Sequence, residues 1–193
     1  MKKEIELPPK TGDLKKDARG LPVPFTVLWD RAGKPHFKAN DERKTEKCIA
    51  ERLCIICGNR LRKDMYLIGG PVSAFNPNGV FNDAPVHRLC GQFALQYCPY
   101  LVNTKYPTTP NYKSLIGAPF PAENKIFFNP TQSGDRVPFF VFAKISDYTV
   151  TRRGIERYIN PVKPYLEIEF WNGGKQITES EAIELAKSKH PGE

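Results

Sequence analysis

No run of apolar residues in this chain approaches the roughly 18 needed to span a bilayer. The first twenty residues, MKKEIELPPKTGDLKKDARG, carry lysines but no apolar segment of the kind a secretory signal has. No membrane partner is expected, and a cytoplasmic, reducing location is. Neither a G-x-x-x-x-G-K-[ST] nor a G-x-G-x-x-G phosphate loop is present, and Ser73 and Ser114 lack a His/Asp partner pattern. No small-molecule substrate is indicated, and no internal repeat is visible. Histidine is scarce, with three residues: His36, His87 and His190. Cysteine numbers five, an odd count that argues against a disulfide framework and toward a metal site or free thiols.

What is present is an ordinary globular composition, 40% hydrophobic and 26% charged, in 193 residues. That length suffices for one domain with a real core or for two small ones. The net charge of +8 suits an acidic partner, nucleic acid above all. The excess lies before residue 164, because residues 164–193 carry three Lys/Arg against six Asp/Glu. The 18 prolines cluster and mark irregular stretches.

Along the chain, residues 1–20 read as a mobile arm. Phe25–Asp30 and Pro35–Lys38 read as two strands of a hairpin with Gly33 in its turn. Asn40 is placed to cap a helix through DERKTEKCIAERL, with Thr45, Cys48, Ile49 and Leu53 on one face. Cys48 lies on that apolar face and reads as a small buried hydrophobe. RKDMYLIGGPVSAF reads as a strand, a Gly-Gly-Pro break and another extended piece. A turn-rich loop, NPNGVFNDAP, leads into a helix over VHRLCGQFALQYC, with Asp83 or a neighbour as cap and Pro85 in the first turn.

Residues 101–138 form a Pro-rich irregular segment in which KIFF could be a short strand. VPFFVFAKISDYTV reads as one apolar strand, and PYLEIEFW alternates with Leu166, Ile168 and Phe170 on one face. Asn172-Gly173-Gly174 is a hairpin turn, and Thr178 with Glu181 is a capping box for a short C-terminal helix. The organisation expected is an arm (1–20), an N-terminal hairpin with a zinc module (21–100), the Pro-rich segment (101–138) and a β-rich part ending in a helix (139–193). The last part could share one core with 21–100. The fold class is α+β, with antiparallel hairpins or sheet.

Residues 54–58, CIICG, carry the chemistry. Two cysteines spaced C-x-x-C place both thiolates on one tight turn, each about 2.3 Å from a shared zinc. The following glycine lets the backbone curl back toward sulfur. A thioredoxin-like redox pair would follow a strand and open a helix, whereas this pair follows a helix and Gly58-Asn59 breaks what comes next. Two further ligands must come from His87, Cys90 and Cys98. His87 and Cys90 are three apart and share a helix face. Cys90 and Cys98 are eight apart, about 12 Å along a straight helix, so both cannot reach one ion. The ligand set is therefore Cys54, Cys57, His87 and Cys90, with Cys98 in reserve. Four protein ligands leave no open position, which suits one structural Zn²⁺ rather than a catalytic one.

The order of CIICG at 54–58 and HRLC at 87–90, a knuckle followed by a helix that brings the last two ligands, resembles the treble-clef zinc finger. The wider pattern LPVPF…CIICG…HRLC…CPYL resembles uncharacterised phage and actinobacterial proteins, and that resemblance implies no activity. Some treble clefs are HNH-type nucleases, with a general-base histidine and a second metal. Here His87 is already used, His190 lies in the acidic tail, and His36 has no His-His or Asp-His companion in the sequence. A non-catalytic binding protein is the expectation, with an HNH-like nuclease as the enzymatic alternative. Arg60, Arg62 and Lys63 follow the knuckle. Arg152, Arg153 and Arg157 form a second basic cluster interleaved with Tyr148 and Tyr158, the composition of a phosphate track with stacking groups. The alternative partner is an acidic protein, with the chain acting as an adaptor or a phage accessory protein.

Overall fold

The computed structural model describes residues 7–8, 11–102, 137–154 and 156–189. β1 (Val27–Trp29) and β2 (Pro35–Asn40) pair antiparallel. Asp30 closes their turn: its carboxylate accepts from the Lys34 N–H at 2.8 Å and is bonded to His36 Nε2 at 3.0 Å. His36 therefore does have an acidic companion, supplied across the hairpin rather than by an adjacent residue. Residues 11–20, expected as a mobile arm, include a buried Thr11 and a Lys16–Pro22 bridge onto the following segment.

α1 (Glu42–Glu51) is capped by Asp41, whose side chain accepts from the Arg43 N–H, and not by Asn40. Asn40 ends β2, which keeps its backbone extended. The helix buries Thr45 and Cys48 and stops at Arg52, which adopts a left-handed conformation. β3 (Met65–Gly69) follows the knuckle. The next piece is not extended but is a single helical turn, α2 (Pro71–Phe75), because Pro71 stands at its first position, where no N–H is needed. α3 (Arg88–Tyr97) starts later than Pro85 and has His87 at its N-cap. Residues before it are held extended by the Tyr66–Val86 bridge. α4 (Pro99–Val102) is one short turn. Most of the Pro-rich segment, including KIFF, lies outside the described residues.

The apolar run after Pro138 is two strands, β4 (Phe140–Ile145) and β5 (Tyr148–Arg153), separated by Ser146-Asp147. The Asp147 carboxylate accepts from the Tyr148 N–H and turns the chain. β6 (Glu156–Pro161) pairs with β5. β7 (Glu167–Asn172), β8 (Lys175–Ile177) and α5 (Glu179–Lys189) complete the described chain. At the start of α5, Thr178 Oγ1 accepts from the Glu181 N–H at 3.3 Å and Glu181 accepts from the Thr178 N–H at 2.7 Å.

The architecture is α+β. A four-stranded antiparallel sheet runs β3-β4-β7-β8, with β1–β2 and β5–β6 as separate two-stranded pieces. β4 is central, and Val141, Phe142, Ala143 and Ile145 are all fully buried, which explains its continuous apolar character. α3 lies over one face, where Tyr66 stacks on Phe142 with ring centroids 4.6 Å apart. Gly91 makes that approach possible, since a Cβ there would sit 2.4 Å from the Phe142 ring. Along β7 the buried residues are Glu169 and Trp171, while Leu166 and Ile168 are exposed. One apolar core joins Cys54, Cys57 and Cys90 to Phe142, Ile159 and Trp171.

Candidate metal centre

The knuckle is built by its backbone. The Gly58 N–H donates to the Cys54 carbonyl at 2.8 Å, and the Cys54 N–H donates to the Asn59 carbonyl at 2.8 Å. This closure needs a positive φ at residue 58, which Gly58 supplies at 71°. Asn59 Nδ2 also donates to the Cys57 carbonyl at 3.1 Å. Behind the turn, the Phe25 N–H donates to the Ile56 carbonyl at 2.8 Å, so the chain entering β1 backs the knuckle.

The second pair comes from the start of α3. His87 at the N-cap and Cys90 one turn in project toward the knuckle. The ligand atoms of Cys54, Cys57, His87 and Cys90 all lie within 4.8 Å of one another. A tetrahedral zinc with bonds of about 2.0–2.3 Å separates its ligand atoms by about 3.3–3.8 Å. Cys57 Sγ and His87 Nδ1, 3.4 Å apart, already have that spacing. The other imidazole nitrogen, Nε2, lies 3.2 Å from the Arg60 carbonyl. That bond makes Nε2 the protonated nitrogen and leaves Nδ1 as the lone-pair donor facing the sulfurs. The three cysteines are buried and His87 is half-buried.

Bonding from Cys54 and then Cys90 pulls the Cys57 thiol far below the ordinary thiol range. The same sulfurs, Cys54 first and Cys57 second, push His87 up to about 10. Cys54 and Cys57 also push the Cys90 thiol up, so one thiolate opposes the next. A cation bound among the sulfurs would relieve that opposition and take the place of a proton on His87 Nδ1. Cys48 is nearby, its thiol 4.0 Å from the Cys54 carbonyl, but burial pushes it up to about 12 and it stands outside the cluster. Cys98 sits at the opposite end of α3, as its C-cap. Among the described residues, no other group of His, Cys, Asp or Glu side chains is placed to hold a metal ion. The Cys₃His set is able to hold one ion.

The turn carrying His87 and Cys90 is fastened to the sheet. Arg88 Nη2 is 2.8 Å from Glu167 and 2.7 Å from Glu169. Its N–H donates to Asp64 at 3.2 Å. Gln92 Nε2 and Trp171 Nε1 also donate to Glu169, the latter at 3.0 Å. Sequence reading missed this network, because Glu167 and Glu169 lie 79 and 81 residues from Arg88 along the chain.

Structure sorts the basic residues. Arg60, Arg62 and Lys63 are exposed beside the knuckle. Arg152 donates to Glu46 at 2.9 Å. Arg157 is buried, with 7% of its side chain exposed, and pairs with Glu42 and Glu46. Its charge is therefore committed inside the protein. Arg153 is exposed and has no hydrogen-bond or ion-pair partner among the described residues. Tyr148, its ring beneath the Arg52 guanidinium at 4.7 Å, is buried against α1. No helix among the described residues is long and apolar enough to cross a membrane. No protein-family model, curated protein or solved structure matches the chain.

Proposed function

We propose that Cys54, Cys57, His87 and Cys90 hold one zinc ion in a treble-clef arrangement, and that the chain is a non-catalytic nucleic-acid-binding protein stabilised by that ion. The observation that carries the metal reading is the convergence of all four ligand atoms within 4.8 Å, three of them sulfur. Soft thiolates with one imidazole suit zinc, and four protein ligands make the site closed and structural. The Tyr66–Val86 bridge supports the clef, since it pairs the strand after the knuckle with the segment entering α3. The ion would cross-link the end of α1 to the start of α3, joining segments about 30 residues apart. Nucleic acid is favoured by the net charge of +8 and by the exposed Arg60, Arg62 and Lys63 beside the site.

Metal analysis of the purified protein tests the first half, with about one zinc per chain expected. Less than about half an equivalent overturns it. Cys54→Ser should lower the melting temperature severely, because structural zinc contributes on the order of 10–16 kcal/mol of coupled folding free energy. Cys98→Ser should leave the zinc content unchanged. Oligonucleotide binding tests the second half. Affinity should fall steeply with salt, and replacing Arg60, Arg62 and Lys63 by alanine should flatten that dependence. Absence of binding at low salt, together with capture of an acidic protein partner, would favour the adaptor reading.

A further inference from the structure

The β5–β6 hairpin has two faces of different character. Strand alternation puts Arg152, Arg157 and Ile159 on the inner face, against α1 and the core. The outer face carries Thr149, Thr151, Arg153, Glu156, Tyr158 and Asn160, with Thr151 directly opposite Tyr158 and the carboxylate residue Glu156 opposite Arg153. Phe81 and Ile159 exchange both backbone hydrogen bonds, at 2.9 and 2.7 Å, so residues 80–82 add a third strand segment beside β6. With Phe81 turned inward and fully buried, Val80 and Asn82 flank the outer face.

A wall rises along that face. The Asn76–Gly79 loop is closed by its own bonds: Asn76 Oδ1 accepts from the Asn78 N–H at 2.9 Å, and the Asn76 carbonyl accepts from the Gly79 N–H at 2.8 Å. Lys163 Nζ ties the same carbonyl from outside at 2.8 Å. Between wall and strands lies an open depression of about 540 Å³, beside a second of about 470 Å³ that shares Asn78, Gly79, Val80 and Tyr158 in its lining. Each is the size of a small-ligand site. Carboxamides line both: Asn78 and Asn160 in the first, Asn76, Asn78 and Asn82 in the second.

The lining has three kinds of group. Arg153 brings a guanidinium that no described residue engages. Tyr158 brings a ring common to both cavities, its hydroxyl donating to Glu156. Asn160 is fixed by bonds from Nδ2 to Thr151 Oγ1 at 2.9 Å and to the Tyr158 carbonyl at 3.3 Å, which leaves Oδ1 as an acceptor. A cation for phosphate, an aromatic face for a base and carboxamides for base edges are the parts that recognise one unit of a single strand. A duplex would hide the base faces and Watson–Crick edges from such a concave surface.

We propose that this groove is a subsite for a nucleotide of single-stranded nucleic acid, with the base against Tyr158, its edge met by Asn78 and Asn160, and the phosphate on Arg153. The inference rests on the nucleic-acid reading above. Fluorescence anisotropy on the full chain, with a labelled single-stranded oligonucleotide and the duplex of the same sequence, tests it. The single strand should bind more tightly. Tyr158→Ala should weaken it about tenfold, while Tyr158→Phe keeps the ring and the affinity. Arg153→Ala should weaken binding and reduce the salt slope by about 0.7, one phosphate contact. Asn78→Asp, at an exposed position, should also weaken binding and guards against misfolding of the Tyr158 variant. Arg152→Ala, on the inner face, should change affinity less than twofold. Wild-type affinity in the Tyr158, Arg153 and Asn78 variants, with binding lost on replacing Arg60, Arg62 and Lys63, overturns the subsite and leaves the general reading standing. Failure of the wild-type chain to bind any oligonucleotide overturns both.

Discussion

The network around Glu169 offers a quantitative test of how the turn carrying His87 and Cys90 is anchored. Glu169 is a carboxylate with 4% of its side chain exposed, and Arg88 is its one cationic partner among the described residues, at 2.7 Å. Arg88→Ala leaves that charge with Gln92 and Trp171, two neutral donors. Breaking a fully buried pair costs about 3–5 kcal/mol. Two features reduce that figure here. Arg88 has 42% of its side chain exposed, so water screens its charge, and the two neutral donors remain. A cost of about 2 kcal/mol is expected, in the range for a hydrogen bond to a charged group. For a chain of this size that lowers the melting temperature by about 4–8 °C. Thermal denaturation followed by circular dichroism reads it directly. Lys187→Ala is the control: its pair with Glu184 is 71% and 75% exposed on the two sides, so the change should stay within about 0.5 kcal/mol. A double-mutant cycle with Glu169→Gln should give a coupling of about 1–2 kcal/mol. The reasoning fails if Arg88→Ala melts within about 1 °C of the wild type, or if the cycle shows no coupling.

Two other perturbations follow from the same packing. Glu46 is held down at about 2, from an ordinary value of 4.5, chiefly by its bond to Arg152 and then by Arg157. A depressed carboxylate stabilises the fold above its unfolded value, so this contribution is complete above about pH 4.5 and fades as pH falls toward 2. Glu46→Gln should remove that part of the acid limb, while Glu42, pushed upward by burial and also by Glu46, acts in the opposite sense and loses part of that push in the variant. Urea denaturation across pH 2.5–6 checks this, and parallel stability profiles for the two proteins would refute it. Gly91→Ala places a methyl 2.4 Å from the Phe142 ring and 2.9 Å from Val86. It should destabilise by about 1–3 kcal/mol through overpacking, measured as a shift in the denaturation midpoint, and an unchanged midpoint would show that α3 can shift away from β4.

The Cys54, Cys57, His87 and Cys90 cluster was the most legible part of the sequence, because its determinants are local. C-x-x-C with a glycine specifies one turn and H-x-x-C specifies one end of a helix, and helix rise alone separates Cys98 from Cys90. The α+β class and the Asn172–Gly174 hairpin were legible for the same reason. Misreadings occurred where a local pattern has two outcomes. Gly-Gly-Pro both interrupts a strand and opens a helical turn, and the run from Phe139 to Val150 conceals a turn because its strands are apolar on either side of Ser146-Asp147. Long-range pairing was illegible. Nothing near Glu169 announces that Arg88 and Gln92 will meet it, so the alternation of β7 pointed to Leu166 and Ile168 while burial fell on Glu169 and Trp171.

The basic cluster at 152–157 shows what a count of charges leaves out. In sequence, Arg152, Arg153 and Arg157 are equivalent. In the hairpin, Arg152 and Arg157 are cross-strand partners, so they share a face, and that face meets Glu42 and Glu46. Arg153, one residue along, must point the other way. Alternation therefore divides one run of like charge into two cations that hold the hairpin against α1 and one that is left at the groove. Local charge density predicts neither role. What decides is strand parity relative to the nearest acidic helix, and it follows once Gly154 is recognised as the turn that makes residues 152 and 157 opposite.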